Sequence, residues 1–355
     1  MPSPIQLNLL SQHAAEGQEL TASEIELAIQ DLLEPDISIE TKAEFLLCLA
    51  RKGETPQEIA SFATLLRDLA LDPQVDVGLL GGTLLDTCGT GGDGMNTFNV
   101  STASAFILAA GDVPVAKHGN RSITSKCGSA DVLEGLGIKI EMPAVQTRQA
   151  LEKLKIGFLF APNYHKAFQH LQPVRQHLAQ QGKRTIFNLL GPLVNPARPN
   201  IQVIGVYDAK ITDLYAHVLK QMKLKRAVVV HGYVPGQKTG FDEMSTMGPS
   251  KVSQLHSNGT VETLEIDATP FKFQKVELAD LMGGDVAANA KIIENLLSGK
   301  DTGPRRDFLI YNASLGFVLA EQARDIAAGM ARAKTILESG AAFEKLKALR
   351  EFCKK

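Results

Sequence analysis

The stretch Asp86-Thr-Cys-Gly-Thr-Gly-Gly-Asp-Gly-Met-Asn-Thr-Phe-Asn-Val-Ser-Thr102 carries glycine at 89, 91, 92 and 94, between an apolar run and a helix-like segment. Glycine is entropically costly inside an ordered element, so such a cluster marks backbone that must come close to something. Gly89-Thr-Gly-Gly-Asp-Gly94 formally satisfies GxGxxG, the dinucleotide fingerprint. That fingerprint also wants an acidic residue about 20 residues on, at the end of the next strand. Asp112 stands before that strand, which runs instead into the basic Lys117-His-Gly-Asn-Arg121. A Walker A loop fails as well, because Met95-Asn96 follows the last glycine.

Working outward, the residues on either side differ in texture. Residues 1–75 read as a small helical domain. Thr21-Ala-Ser-Glu24 and Thr55-Pro-Gln-Glu58 are capping boxes, the second with proline at the first helical position. Behind them Ile25, Ala28, Ile29 and Leu32, and Ile59, Phe62, Ala63 and Leu66, repeat at helical spacing. Residues 76–355 read as an α/β domain. Short apolar runs at Thr83–Thr87, Val113–Ala116, Gly157–Phe160, Val203–Tyr207 and Ala227–Val230 predict strands. Helical patterns such as Thr102–Ala110 and Ile211–Met222 separate them, and Asp285–Leu297 and Asp325–Leu337 follow. This alternation predicts a mostly parallel sheet flanked by helices, with a small all-α N-terminal domain. A helical segment near 164–182 is a candidate to join that domain, with a kink or break at Pro173.

Parallel strands aim their C-terminal loops into one crevice. The first loop offers glycine amides, then Asn99, Ser101 and Thr102 at a helix start, where amides and dipole favour an anion. The second offers Lys117 and Arg121 with hydroxyls at Ser122, Thr124, Ser125 and Ser129. Two such loops suit a ligand with more than one phosphate. Further on, Asp242-Glu243 pairs two carboxylates in a loop after a strand. An isolated Asp-Glu pair is usually a solvated turn; beside phosphate-type loops it suits Mg²⁺, which takes few protein ligands. His165 and Arg175 sit on the broken helical stretch, and arginine matches a planar carboxylate.

The chain has 355 residues, 44% hydrophobic and 21% charged, with a net charge of −2. That balance argues against a nucleic-acid binder dependent on bulk phosphate neutralisation. The sequence has no membrane-length apolar run and no leader pattern, which predicts a cytoplasmic protein. Cys48, Cys88, Cys127 and Cys353 lie far apart with no CxxC, so free thiols are expected rather than a metal site. No nucleophile–base pairing stands out, and no residue is assigned to covalent or acid–base catalysis.

Together, Gly89-Thr-Gly-Gly-Asp93, Asn99-Val-Ser-Thr102, Lys117-His-Gly-Asn-Arg121, Gly128-Ser-Ala-Asp131, Arg184-Thr-Ile-Phe-Asn-Leu-Leu-Gly-Pro192 and Asp242-Glu243 resemble the anthranilate phosphoribosyltransferase family, from about residue 40 to about residue 320. The resemblance implies a two-domain architecture shared with nucleoside phosphorylases, usually a homodimer. It implies transfer of phosphoribosyl from phosphoribosyl pyrophosphate (PRPP) to anthranilate, a step of tryptophan biosynthesis. By matching motif, Gly89, Gly92, Asp93, Thr97, Asn99, Val100, Ser101, Thr102, Lys117, His118, Gly119, Asn120, Arg121, Ser122, Ile123, Thr124, Ser125 and Ser129 would hold PRPP. Gly89, Asn120, Arg175, His118 and His165 would meet anthranilate, and Ser101, Asp242 and Glu243 would engage Mg²⁺. Two segments depart from the pattern: 176–183 and 233–240 are both longer than the family's.

A pyrimidine nucleoside phosphorylase is the nearest rival, but it would carry a Lys-x-Ser-Gly-Arg type motif where Lys117-His-Gly-Asn-Arg121 stands. A non-catalytic relative binding single-stranded nucleic acid could dispense with both the glycine loop and the Asp-Glu pair. Phosphorolysis of uridine and a salt-sensitive shift on single-stranded DNA are the respective discriminating observations.

Overall fold

The computed structural model describes residues 5–122 and 126–354. Among the described residues, four helices open the chain: Ile5–Ala15, Ala22–Leu33, Ile39–Lys52 and Pro56–Asp68. Both capping boxes form, each threonine accepting from the glutamate N–H and each glutamate accepting from the threonine N–H. The apolar stripes behind them are buried as the helical period requires. Glu58 does more than cap. It is fully buried and accepts from Thr55 N at 2.8 Å, Leu20 N at 2.9 Å and Lys52 Nζ at 2.7 Å. One carboxylate thus ties two helix ends and an incoming loop together.

Seven strands follow among the described residues: β1 (Leu85–Gly89), β2 (Val115–Gly119), β3 (Ile156–Phe160), β4 (Ile201–Gly205), β5 (Arg226–Gly232), β6 (Ser250–Leu255) and β7 (Val261–Ile266). Their order is β3-β2-β1-β4-β5-β6-β7. The first five pair in parallel, while β6 and β7 add antiparallel strands at one edge. Apolar runs marked the parallel strands and missed the last two. Those are amphipathic and polar-rich, and β7 is mostly exposed, so neither makes an apolar run. Two observed strands also reach further toward the loops than expected. β1 carries Gly89 opposite Gly205, and β2 carries Lys117 and His118 within its paired length.

The chain winds from β1 through β2 to β3 on one side, then returns to β4 beside β1 and on to β5. The direction of winding therefore reverses between β1 and β4, and a crevice opens outside their carboxyl ends. Helix Val100–Ala110 leaves β1 across this sheet, and helix Pro304–Leu319 packs against it. Asp285 and Asp325, expected inside helices, instead cap Val286–Leu297 and Ile326–Glu338 by accepting from Ala288 N and Ala328 N.

The helical stretch breaks just before Pro173, which therefore does not kink a helix. Pro173 stands in the first turn of Gln172–Gln180, after a 3₁₀ segment at Lys166–Leu171, where its missing N–H costs nothing. Leu171, Val174 and Leu178 from these pieces share one apolar cluster with Leu7, Phe45, Leu46 and Phe62 of the opening helices. The same cluster continues through Ile204, Val206, Tyr215 and Val229, so the helical bundle is packed directly onto one face of the sheet.

Replacing Glu58 by alanine strands the buried Lys52 ammonium and two backbone donors. We expect Glu58→Ala to lose about 3–5 kcal/mol of stability in urea unfolding, as one-sided removal of a buried ion pair generally does. A loss of less than about 1 kcal/mol, the scale of an exposed pair, would show that water replaces the carboxylate.

Candidate active site

The glycine-rich stretch closes over the reversal point of the sheet. Asp242 comes back from beyond β5 and presses against the ends of β1 and β4. A Cβ on Gly89 would collide with Asp242 Oδ2, and one on Gly205 would collide with the Asp242 carbonyl oxygen. Neither position can carry a side chain without moving the loop. Gly91, Gly92 and Gly94 take φ of 63°, 79° and 76°, the left-handed region that glycine enters at no steric cost. The two loops are then stitched together: Gly91 N–H donates to Asp242 Oδ2 at 3.1 Å, and Asp242 N–H reaches Asp93 Oδ2 at 3.4 Å.

The outcome is a cluster of three carboxylates. Asp93, Asp242 and Glu243 can each point an oxygen so that the three lie within 4.8 Å of one another. Burial pushes Asp242 above the usual carboxylate range, and the charge of Asp93 pushes it further. Glu243 is driven up strongly by burial and then by Asp242, and Asp93 is raised by burial. Glu243 Oε2 has no hydrogen-bond partner among the described residues. Three crowded carboxyls with an orphaned oxygen suit a hard divalent cation, which neutralises the repulsion and accepts oxygen ligands. By motif, Asp93 belonged to the donor rather than the metal; the structure brings it into the acidic cluster. Ser101 lines the same small polar cavity as Asp242 and Glu243.

Lys117 is buried below this cluster, its Nζ donating to Thr87 O at 2.6 Å and Ser101 Oγ at 3.1 Å. Burial lowers its pKa, and Asp86 opposes that shift. Asp86 is 0% exposed and was not singled out from the sequence. It accepts from Asn195 Nδ2 at 2.9 Å and His118 N at 3.3 Å, and burial still lifts its carboxyl to about 6. The missed signal was available: an aspartate inside the apolar run Leu84-Leu85-Asp86 needs a buried partner.

The second loop is organised by Asp131. Its Oδ2 accepts from Ser122 N at 2.9 Å and Gly128 N at 2.8 Å. Arg121, expected to face phosphate, turns instead to Asp131 and Glu134 and lies over the Phe160 ring at 5.5 Å. Asn99 bridges the two loops, donating to Cys127 O at 3.1 Å. Ser129 Oγ packs over Gly119 and reaches Asn120 O at 3.4 Å. Thr97 bridges to Met282, while Val100 and Thr102 are buried on the inner side of their helix. Ile123, Thr124 and Ser125 lie outside the described residues.

On the far side of β2, ring contacts lead from His118 through His165 to Phe168. The His118 and His165 ring centroids are 5.2 Å apart, and those of His165 and Phe168 are 5.1 Å apart. Arg175 lies over Phe187 at 5.8 Å. His118 is pushed down to about 3 by burial and then by His165, while His165 is pushed down to about 4 by burial. Both rings are therefore neutral at neutral pH.

The two segments expected to be longer, 176–183 and 233–240, run beside the site. Residues 233–240 leave and re-enter through a reciprocal Gly232–Phe241 pair, N–H to C=O at 3.0 and 2.8 Å, which fixes Asp242 at the sheet end. Residues 176–183 are used up in closing helix Gln172–Gln180, where Gly182 takes φ of 65° and Lys183 N–H returns to Leu178 O. Arg184 then stacks on Tyr207 at 4.2 Å and reaches Gly92 O at 3.4 Å.

This geometry has close counterparts. Residues 81–343 match the family model described as "Glycosyl transferase family, a/b domain", and residues 10–70 match "Glycosyl transferase family, helical bundle domain". The anthranilate phosphoribosyltransferase of Desulfatibacillum aliphaticivorans is 44% identical over 336 residues, covering 95% of each chain. That of Solibacter usitatus is 45% identical over 337 residues, covering 95% of this chain and 96% of the other. The chain belongs to the anthranilate phosphoribosyltransferase family. Among solved structures, the enzyme from Thermus thermophilus superimposes with a TM-score of 0.86 at 35% identity, covering 98% of this chain and 99% of that one. The enzyme from Saccharomyces cerevisiae in complex with PRPP and Mg gives a TM-score of 0.86 at 26% identity, covering 99% of each chain.

The histidine pair predicts an acid-side weakness common to both rings. An imidazole depressed from 6.5 on folding binds its proton in the unfolded chain first, so stability present above pH 6.5 is lost as pH falls toward the folded value. Each ring should contribute a slope of up to about 1.4 kcal/mol per pH unit. Urea unfolding at about pH 7.5 and about pH 5, on either side of the ordinary imidazole value, should therefore show a smaller difference for His118→Asn and for His165→Gln than for the native chain. Equal differences would mean that the rings are solvated in solution.

Proposed function

We propose that the protein transfers the phosphoribosyl group of PRPP to the amine of anthranilate, releasing pyrophosphate, as a step of tryptophan biosynthesis. The observation that carries this reading is the carboxylate cluster locked against a glycine-rich strand end, with the buried Lys117 beneath it. Asp93, Asp242 and Glu243, with Ser101 in the same cavity, are the residues that would hold Mg²⁺. When bound, that ion supplies electrostatic stabilisation of the departing pyrophosphate.

The chain's own residues account for the rest. As the bond from ribose C1 to pyrophosphate breaks, negative charge collects on the leaving group. Lys117 and the amides of the glycine-rich loop offer donors that are already in place, without reorganisation at the moment of reaction. Ser101, already accepting from Lys117, orients that ammonium. Anthranilate is a planar carboxylate with an amine beside it. The Arg175 guanidinium, stacked on Phe187, is suited to grip the carboxylate through two hydrogen bonds and turn the amine toward C1. His118 and His165, neutral and buried, form an aromatic wall that keeps water away from the sugar cation. The aniline nitrogen attacks with its own lone pair, and its proton passes to the released pyrophosphate or to solvent after the C–N bond has formed. No side chain is required as an early base.

We also infer a cytoplasmic homodimer that takes only small-molecule substrates. No disulfide joins any of the four cysteines, as suits a reducing compartment, and no described helix is long and apolar enough to cross a membrane. Leu9, Leu27 and Ile39, exposed on the opening helices, suit a contact between subunits.

The test follows anthranilate fluorescence on mixing with Mg²⁺ and PRPP. Loss of signal that needs both is the expected result. Arg175→Ala should raise the KM for anthranilate roughly 10- to 100-fold, the range for a charge-assisted hydrogen-bonded pair, and leave the KM for PRPP nearly unchanged. An unchanged KM for anthranilate would remove Arg175 from the acceptor site.

A further inference from the structure

We propose that Asn312 is a positioning residue for Asp242 and Glu243, holding the loop that carries them by a two-point grip on the backbone of Met244. The proposal rests on the functional reading above. Asn312 lies in helix Pro304–Leu319, far from the loop in sequence and outside every motif that identifies the family here. Its Oδ1 accepts the Met244 N–H at 2.8 Å, and its Nδ2 donates to the Met244 carbonyl at 3.1 Å. The other Nδ2 hydrogen goes one helical turn back, to Phe308 O at 2.9 Å. This network fixes which way the amide points. Turned over, its oxygen would face two carbonyls and its NH₂ would face an N–H.

A residue held through both its N–H and its C=O can neither slide along the chain nor rotate its peptide planes. The loop is therefore stopped on both sides of the carboxylates. The Gly232–Phe241 pair stops it before Asp242, and Asn312 stops it directly after Glu243. Phe241 and Met244 are fully buried, and their burial alone would keep the loop attached to the core. Apolar burial has no direction, however, and does not set the register to a fraction of an ångström. Glu243 needs that register, because its Oε2 has no partner among the described residues to orient it. Asn312 also lines the same polar cavity as Glu243, Asp242 and Ser101, so the grip is made at the wall of the site.

Three purified variants of the full chain test this. Asn312→Leu removes the grip at similar volume. Asn312→Asp keeps an acceptor for Met244 N–H but sets an oxygen against two carbonyls. Ser314→Ala, on the same helix, removes only the Ser314 Oγ bond to Tyr311 O at 2.6 Å. PRPP is titrated calorimetrically at several fixed Mg²⁺ concentrations, and unfolding temperature is recorded for each protein. Both Asn312 variants should need roughly 10-fold more Mg²⁺ for half-maximal PRPP binding, the scale seen when partners of metal ligands are removed. Their KM for anthranilate should stay near the native value at saturating Mg²⁺, and kcat should recover as Mg²⁺ is raised. Ser314→Ala should lose thermal stability and keep the native Mg²⁺ dependence.

Native Mg²⁺ dependence in the Asn312 variants would overturn the proposal. So would an equal change in Ser314→Ala at equal loss of unfolding temperature. If Asn312→Leu does not fold, Asn312→Asp decides the matter. A native chain that fails to bind PRPP at any Mg²⁺ concentration would overturn the functional reading, and this proposal with it.

Discussion

The approach of Asp242 to the ends of β1 and β4 is the contact on which the rest of the site depends. Two facing glycines, Gly89 and Gly205, leave the sheet without side chains where its winding reverses, and the backbone and carboxylate of Asp242 fill that gap. The loop comes in at a distance no other residue pair would allow. From that single approach follow the hydrogen bond from Gly91, the contact with Asp93 and the gathering of three carboxylates. The glycines were read from the sequence as an opening for a phosphate. At Gly89 the structure uses the opening first for another part of the same chain.

Such a site is held together against its own electrostatics. Carboxylates pressed together and withdrawn from water are costly: burial raises all three, and neighbouring carboxylates raise Asp242 and Glu243 further. Fold energy from elsewhere must offset that cost. The apolar clusters on the two faces of the sheet supply it, and the reciprocal Gly232–Phe241 pair directs it to the loop. Below the cluster the opposite arrangement holds. Asp86 and Lys117 bury charges of opposite sign, and Asn195 and the His118 N–H satisfy the carboxylate. The first group gathers like charges, and the second pairs opposite ones.

The carboxylate cluster and the histidine side of β2 are not separate modules. β2 carries Lys117 toward the carboxylates, and the next residue, His118, meets His165 on the other side. Alternation along a strand sends adjacent side chains to opposite faces, so one paired strand end serves both. The segment from His165 to Arg184 then carries Arg175 onto Phe187 and ends with Arg184 against Tyr207 and Gly92. That segment therefore touches the glycine-rich loop at its far end, through Arg184.

What the sequence determined by itself is local. Capping boxes at Thr21 and Thr55, helices at their regular period, parallel strands as short apolar runs and the clustering of glycines all depend on neighbours a few residues apart, so pattern alone exposes them. The acidic pair was visible for the same reason, as adjacent carboxylates in a loop after a strand, while Arg175 was visible only as a residue on a broken helical stretch. The polar strands β6 and β7 were not, because their stability comes from pairing with β5 rather than from an apolar run. Nor was Asp93's place among the carboxylates, the turning of Arg121 to Asp131 and Glu134, or the grip of Asn312 on Met244. Each of these joins groups whose spacing in sequence carries no period. Tertiary structure decided them, since only the packing of the sheet and its helices brings those groups within reach of a hydrogen bond or a shared charge.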